Sequence, residues 1–343
     1  YSNISINQFY GIELDGFAHE LAMLSLWLAE HQMNAEFSRV FADVKIDALP
    51  LKNINTIVQG NACRLDWNEV CPHKPEEEVY VFGNPPYLGR SLREKFQQID
   101  MDIVFEGKIK NYKDLDYISC WFYKASEYIE NDLAKAAFVS TNSLVQGIQV
   151  GLLWPFIFDI GIKIYFAHDT FKWSNNASYN AGVSVCIIGI TSQLNEICYL
   201  FEGTKTKRVK YINPYLKANS NVIVQAVKKH ISELPLLTLG SAPKDGGNLL
   251  LNTVEMNEFI GTYPELKNFI KRFMGSDEFI NDIKRYCIWI EDKQVYLAAS
   301  NKELIRRFEK VRLMRLSSKK IPTKKLADFS HRFGEVRYKP TNA

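Results

Sequence analysis

The stretch Val79-Tyr80-Val81-Phe82-Gly83-Asn84-Pro85-Pro86-Tyr87 decides how this chain is read. Its first four residues are β-branched or aromatic and predict a strand. That strand must stop at the two prolines, which cannot donate to a central ladder. An Asn, Asp or Ser followed by Pro-Pro and an aromatic is rare by chance at average residue usage. The bland alternative is a Pro-Pro turn that merely closes an edge strand.

Elements on both sides of this stretch repeat a βα rhythm. Residues 9–14 read as a strand, and Asp15 can cap a helix in which Ala18, Leu21, Ala22, Leu24 and Leu28 recur at helical spacing. Ile57 and Val58 form a short strand core ending at Gly60. Residues 116–129 predict a helix and residues 136–139 the next strand. Residues 162–167 and 183–190 predict two more, separated by the polar run 173–182. Six strands alternating with helices predict an α/β domain around a mixed, mostly parallel sheet, one or two strands short of a complete doubly wound fold.

Near Leu234 the pattern becomes irregular, with Pro235, Pro243 and the turn signal Asp245-Gly246-Gly247. We therefore expect two domains, 1–233 and 234–343, the second of α+β type. Its clearest element is a helix opening at Ser300, with Ser300 as cap, Glu303 completing a capping box, and Leu304, Phe308 and Val311 as the apolar stripe.

Composition excludes several classes. The chain of 343 residues is 46% hydrophobic and 24% charged, which is ordinary for a globular protein and not for a disordered one. Six scattered cysteines without a C-x-x-C pair indicate neither a metal site nor a disulfide framework, and fit reduced thiols in a cytoplasm. The most apolar stretch, 151–162, is interrupted by Pro155 and Asp159 and is too short to span a bilayer. Residues 1–7 have neither a basic n-region nor an apolar h-region and do not read as a signal peptide. The absence of an initiator methionine suggests that the chain starts inside a longer protein.

The net charge of +3 conceals an asymmetry. Residues 302–325 hold ten basic residues against Glu303 and Glu309, a net +8, which leaves −5 for the rest. One surface facing a polyanion explains this, and a solvated helix face is the plainer reading. Arg306, Arg307, Lys310, Arg312, Arg315, Lys319 and Lys320 are the candidate phosphate contacts.

The chemistry available to the Asn84 turn is specific. An exocyclic amine on an aromatic ring is a poor nucleophile because its lone pair is delocalised. Two acceptors aimed at its hydrogens draw the nitrogen towards tetrahedral geometry. The Asn84 side-chain oxygen and the Pro85 carbonyl can be those acceptors, with Pro85 and Pro86 stiffening the turn. Tyr87 can stack on a base taken out of the duplex.

On these residues the chain resembles the amino-methyltransferases, whose motif is Asn/Asp/Ser-Pro-Pro-aromatic. The resemblance implies a Rossmann-like sheet and S-adenosylmethionine as methyl donor. It implies that Glu13, in Gly11-Ile12-Glu13, accepts the donor's ribose hydroxyls. It also implies that Asn61 and Ala62, in Gly60-Asn61-Ala62, hold its adenine, and that Asn84 borders the same pocket. Most relatives carry Asp where Asn61 stands. Phe171, in His168-Asp169-Thr170-Phe171-Lys172-Trp173, would stack on the far side of the flipped base, with Trp173 in reserve.

The Leu88-Gly89 continuation of the motif, residues 116–121, the Phe-x-Trp pair and the basic ending around Val311-Arg312 and Ser317-Ser318-Lys319 resemble the single-chain type II (MmeI-like) restriction-modification enzymes. This implies an adenine-N6 DNA methyltransferase domain followed by a target recognition domain that reads double-stranded DNA. The family's first strand and Gly-rich cofactor loop would precede Tyr1. A nuclease would lie further upstream, so the fragment alone is not expected to cut DNA. Two other functions are compatible with the motif or its truncation: a protein-glutamine methyltransferase and a non-catalytic DNA-binding module. The +8 segment favours a duplex over a small protein substrate. Methyl transfer to N4 of cytosine is a variant of the first reading, in which Ser more often replaces Asn84.

Overall fold

Short parallel strands joined by helices build the first part of the chain. The computed structural model describes residues 4–41, 55–173, 184–227, 233 and 239–338. It divides into two compact units, Tyr1–Lys229 and His230–Ala343. Leu234, Pro235, Val183 and the run 174–182 lie outside the described residues.

In the first unit, β1 (Gly11–Glu13) and β2 (Ile57–Gln59) pair in parallel with Glu13 opposite Gln59. Between them runs α1 (Gly16–Val40), capped by Asp15, whose carboxylate accepts from the Ala18 N–H at 2.9 Å. β1 is shorter than the sequence pattern suggests, because Phe9 and Tyr10 lie exposed ahead of it.

A second sheet holds β3 (Tyr80–Gly83), β4 (Lys135–Thr141), β5 (Lys163–Lys172), β6 (Ser184–Thr191), β7 (Cys198–Glu202) and β8 (Lys205–Val209). Their order is β3-β4-β6-β5-β7-β8. β3 is parallel to β4 and β5 to β7, whereas β6 is antiparallel to both β4 and β5, and β8 to β7. β3, β4, β5 and β7 therefore point their carboxyl ends to one edge, where ligand sites of α/β sheets collect. The α/β class and the mixed, mostly parallel sheet are as expected, but among the described residues β1 and β2 pair only with each other instead of joining this sheet, and the hairpin β7–β8 extends it beside β5.

Helices α2 (Lys95–Phe105), α3 (Ser119–Tyr128) and α4 (Gly147–Asp159) supply Phe105, Phe122 and Trp154 to the core, all fully buried. β4 alternates buried and half-buried residues, and β6, an interior strand, buries nearly all of its length. One contact there tolerates no side chain: Gly189 of β6 faces Phe166 of β5, and a Cβ at Gly189 would stand 2.2 Å from the ring.

In the second unit, β9 (Leu250–Asn252), β10 (Ile270–Phe273) and β11 (Arg285–Ile288) form an antiparallel sheet in the order β10-β11-β9. α5 (Thr253–Thr262) starts at a reciprocal cap between Asn252 and Glu255. The expected turn is present, with Gly246 and Gly247 at φ 63° and 83° and the buried Asp245 carboxylate accepting from the Gly247 and Leu249 N–H groups.

The basic helix α6 (Lys302–Ser317) buries the expected stripe Leu304, Phe308 and Val311. Its cap differs from expectation. Asn301, not Ser300, accepts from the Glu303 and Leu304 N–H groups, while the Ser300 hydroxyl donates back to the Leu297 carbonyl. Ser300 still belongs to the preceding turn, so the first free helical donors fall within reach of the next residue. Glu303 turns to Arg306 and Arg307 instead of back to the cap.

Among the described residues no helix is long and apolar enough to cross a membrane, and no His, Cys, Asp or Glu cluster could hold a metal ion. Gly189→Ala is expected to cost about 1–3 kcal/mol through overpacking. The readout is a lower urea midpoint for the first unit. An unchanged midpoint would mean that Phe166 swings aside freely.

Candidate functional site

The Pro-Pro turn begins where the ladder ends. Gly83, last residue of β3, pairs with Phe138 of β4. Asn84 follows as an exposed residue whose side chain makes no hydrogen bond among the described residues. Pro85 is buried and Pro86 exposed, and Tyr87 and Leu88 are half-buried against the core. The strand and the core thus grip the turn at both ends and leave Asn84 outside.

Phe171 reaches the same edge from another strand. It sits opposite Val185 of β6, and Thr141 at the end of β4 pairs with that same Val185. The Thr170 hydroxyl, beside it, donates to the Asn142 side-chain oxygen at 3.0 Å, which ties the end of β5 to the turn after β4. Phe171 is 37% exposed, with the Trp173 ring 6.4 Å away, so part of its surface is open for stacking. Its neighbours are held. His168 stacks on Phe201 at 4.3 Å, and burial pushes its imidazole below the ordinary value, so it is neutral at pH 7. Asp169 is raised by burial but pulled lower still by the Lys217 ammonium at 3.0 Å and the Thr170 N–H, and remains ionised.

Glu13 and Asn61 come together at the carboxyl ends of β1 and β2, where the Gly60 N–H donates to the Glu13 carbonyl at 2.9 Å. The Leu14 and Asp15 N–H groups donate to Glu13 Oε1 at 2.9 and 3.3 Å, and Oε2 has no partner among the described residues. Asn61 is more occupied. Its Nδ2 donates to Asp100 at 3.0 Å, and its Oδ1 accepts from the Cys63 N–H at 2.9 Å. The Ala62 carbonyl is taken by Trp67 Nε1.

Two buried carboxylates went unassigned in the sequence because their partners lie far along the chain. Asp100, fully buried, accepts from Arg64 Nε, Asn61 Nδ2 and the Tyr117 hydroxyl, at 2.6, 3.0 and 2.6 Å. Asp116, only 3% exposed, accepts from the Leu88 N–H at 2.8 Å, immediately after the Pro-Pro-Tyr turn. No local pattern announces these contacts, although Asp116 opens the segment 116–121 that carries part of the family resemblance. An Asp beside Tyr within the Asp116-Tyr117 pair is the nearest thing to a signal.

The basic candidates of the second unit divide sharply. Lys310, Lys319 and Lys320 are exposed, with no carboxylate partner among the described residues. Arg306 and Arg312 are exposed but paired with Glu303 and Glu309. Arg307 is half-buried, donates to the Asn248 carbonyl and lies over the Phe259 ring. Arg315 is not on the surface at all: it is fully buried and its guanidinium donates to the carbonyls of Pro243, Lys244, Leu326, Phe329 and Arg332 at 2.8–3.0 Å. Five donors meet five backbone acceptors, so Arg315 pins two loops to α6. Lys267, Lys271, Arg272 and Lys284 are further exposed cations, on and beside the sheet, outside the run that drew attention in the sequence.

An Asn-Pro-Pro-Tyr turn at the carboxyl edge of a mostly parallel sheet, with a separate basic unit following, is the plan of a methyltransferase domain joined to a recognition domain. Residues 1–202 match the family profile of the MmeI DNA-methyltransferase domain, and residues 218–343 that of the MmeI target recognition domain. The chain belongs to the MmeI family. It is 47% identical over 302 residues to DNA methyltransferase A of Bacillus subtilis strain 168, a match that covers 87% of this chain and 34% of that protein. It is also similar to the solved structure of the type IIL restriction-modification enzyme MmeI in complex with DNA. The TM-score is 0.87 and the identity 36%, over 99% of this chain and 46% of that one. The chain therefore spans between a third and a half of these relatives.

Arg315→Lys replaces a planar fork with one ammonium facing five carbonyls, and is expected to destabilise the second unit by about 2–4 kcal/mol. Lys319→Gln, an exposed change, should stay within about 0.5 kcal/mol. Calorimetric melts check both; equal melting of the two variants would remove Arg315 from its structural role.

Proposed function

We propose that the chain carries the catalytic and sequence-reading parts of a DNA adenine-N6 methyltransferase that takes its methyl group from S-adenosylmethionine. Asn84 carries the proposal: an exposed side-chain amide with no hydrogen bond among the described residues, on a proline-stiffened turn at the carboxyl end of β3. The family match and the DNA-bound relative support it.

The residues near Glu13 fit this donor. Two backbone N–H groups fix Glu13 Oε1 and leave Oε2 without a partner among the described residues, which suits a carboxylate receiving a pair of ribose hydroxyls. Asn61 keeps one lone pair on Oδ1 for an adenine amine, and Asp100 fixes its orientation. S-adenosylmethionine, when bound, supplies a methyl carbon made electrophilic by its sulfonium.

The chain's own residues then do the rest. Asn84 Oδ1 and the Pro85 carbonyl accept the two hydrogens of the adenine amine and so release its lone pair from the ring. Tyr87 and Phe171 stack on the base held out of the duplex, paying part of the unstacking cost. The prolines fix these acceptors before the base arrives, so little reorganisation is needed at the moment of transfer.

Duplex binding falls to the second unit. Lys310, Lys319 and Lys320 lead, Arg306 and Arg312 contribute after parting from their glutamates, and Arg307 lies at the margin. Arg315 is excluded by its burial.

In the full natural protein, Asn84→Ala is expected to lower labelled methyl transfer to DNA at least about 100-fold while leaving DNA affinity within about threefold. Residual transfer within tenfold of wild type would defeat the acceptor role. Reversing Lys310, Lys319 and Lys320 to Glu should weaken binding and reduce the salt slope by about 2–3. An unchanged slope would place the phosphate contacts elsewhere.

A further inference from the structure

The Asn84 turn has few ways to be held. Pro85 and Pro86 have no N–H, and the Asn84 side chain makes no hydrogen bond among the described residues, so beyond the packing of Pro85 and Tyr87 the turn's position depends on where its two ends are fixed. β3 fixes one end. The other is Leu88, and both of its backbone groups are bound to one place: its N–H donates to Asp116 Oδ1 at 2.8 Å, and its carbonyl accepts from the Tyr117 N–H at 3.1 Å.

Asp116 is itself held from several directions. Its backbone N–H donates to Gln149 Oε1 on α4 at 2.8 Å, and its Oδ1 also accepts from the Ile118 N–H at 3.3 Å. The Ser143 hydroxyl, in the turn after β4, donates to Oδ2 at 3.4 Å. A carboxylate 3% exposed is costly unless compensated, and these donors together with the nearby Arg93 guanidinium compensate it. Arg93 is itself pressed by burial towards a lower value and favoured by the Asp116 charge.

The adjacent residue braces the other half of the candidate site. Through its hydroxyl, Tyr117 reaches Asp100, and Asp100 holds Asn61. Two consecutive residues thus hold the base-facing turn on one side and the Asn61 turn on the other.

We propose that Asp116 is a positioning residue for methyl transfer, its buried carboxylate setting where the Asn84–Tyr87 turn rejoins the core and hence where the two acceptors stand. This rests on the assignment of that turn as the amine-binding element. Tyr117, by contrast, acts on the Asn61 side. A misplacement of about 1 Å costs on the order of 100-fold in rate, whereas binding of DNA by the other unit does not depend on it.

The experiment measures kcat and KM for methyl transfer in the full natural protein. Asp116→Ala is expected to lower kcat about 30- to 100-fold, with KM for S-adenosylmethionine and for DNA within about threefold. Asp116→Asn keeps an acceptor oxygen for Leu88 and should recover kcat to within about tenfold of wild type. Tyr117→Phe should act on KM for S-adenosylmethionine and leave kcat within about twofold. Asp116→Ala with wild-type kcat, or an Asn variant no better than Ala, overturns the proposal. Should Asp116→Ala fail to fold, Gln149→Ala decides: a fall in kcat of about fivefold at constant KM supports the role, and unchanged kcat overturns it. Asn84→Ala run alongside separates the two claims. Activity surviving there defeats the turn's assignment, while activity lost there but kept in Asp116→Ala defeats only the positioning role.

Discussion

Two consecutive prolines at the end of a strand set the constraint on which the site depends. They remove the backbone donors that would have extended β3, and the chain must therefore leave the sheet after Gly83. Beyond that point Pro85 and Tyr87 pack on the core, and the Leu88 N–H is received by Asp116. The result is a short bridge between a ladder and a buried carboxylate, with one polar side chain, Asn84, exposed on the outside and without a hydrogen bond among the described residues. A turn of ordinary residues would have closed on itself through internal hydrogen bonds and offered less to a ligand.

The sheet around this bridge converts chain direction into proximity. Because β6 runs against β4 and β5, those two strands remain parallel and deliver Thr141 and Phe171 to the same edge, opposite the same Val185. Gly189 makes that arrangement possible by yielding the space that the Phe166 ring fills. In the second unit, helix α6 serves two purposes with its two faces. Leu304, Phe308 and Val311 pack inward, Arg315 gathers five loop carbonyls, and Lys310 stays exposed to solvent.

Signals carried by a few neighbouring residues are legible in the sequence. The β3 strand with its prolines, the Asp15 cap, the Asp245-Gly246-Gly247 turn and the Leu304 stripe all stand in the structure as read. Where a residue's role depends on distant partners, the sequence is silent. Arg315 looks like its basic neighbours until the carbonyls of residues 243–244 and 326–332 close around it. Asp116 looks like the first residue of a helix until it meets Leu88, twenty-eight positions away. Ser300 and Asn301 are both good caps, and only the path of the preceding turn selects Asn301. α2 and α4 were missed because one is polar at its start and the other has Pro155 inside a continuous apolar run, which hides helical periodicity.

The central claim is that the Asn84 turn activates the exocyclic amine of adenine. Its most direct test is the identity of the product: DNA methylated by the full natural protein with labelled S-adenosylmethionine, digested to nucleosides and resolved by mass spectrometry. The account predicts that the label elutes as N6-methyladenosine of the deoxy series. Label in N4-methylcytosine, or in protein with none in DNA, would contradict it.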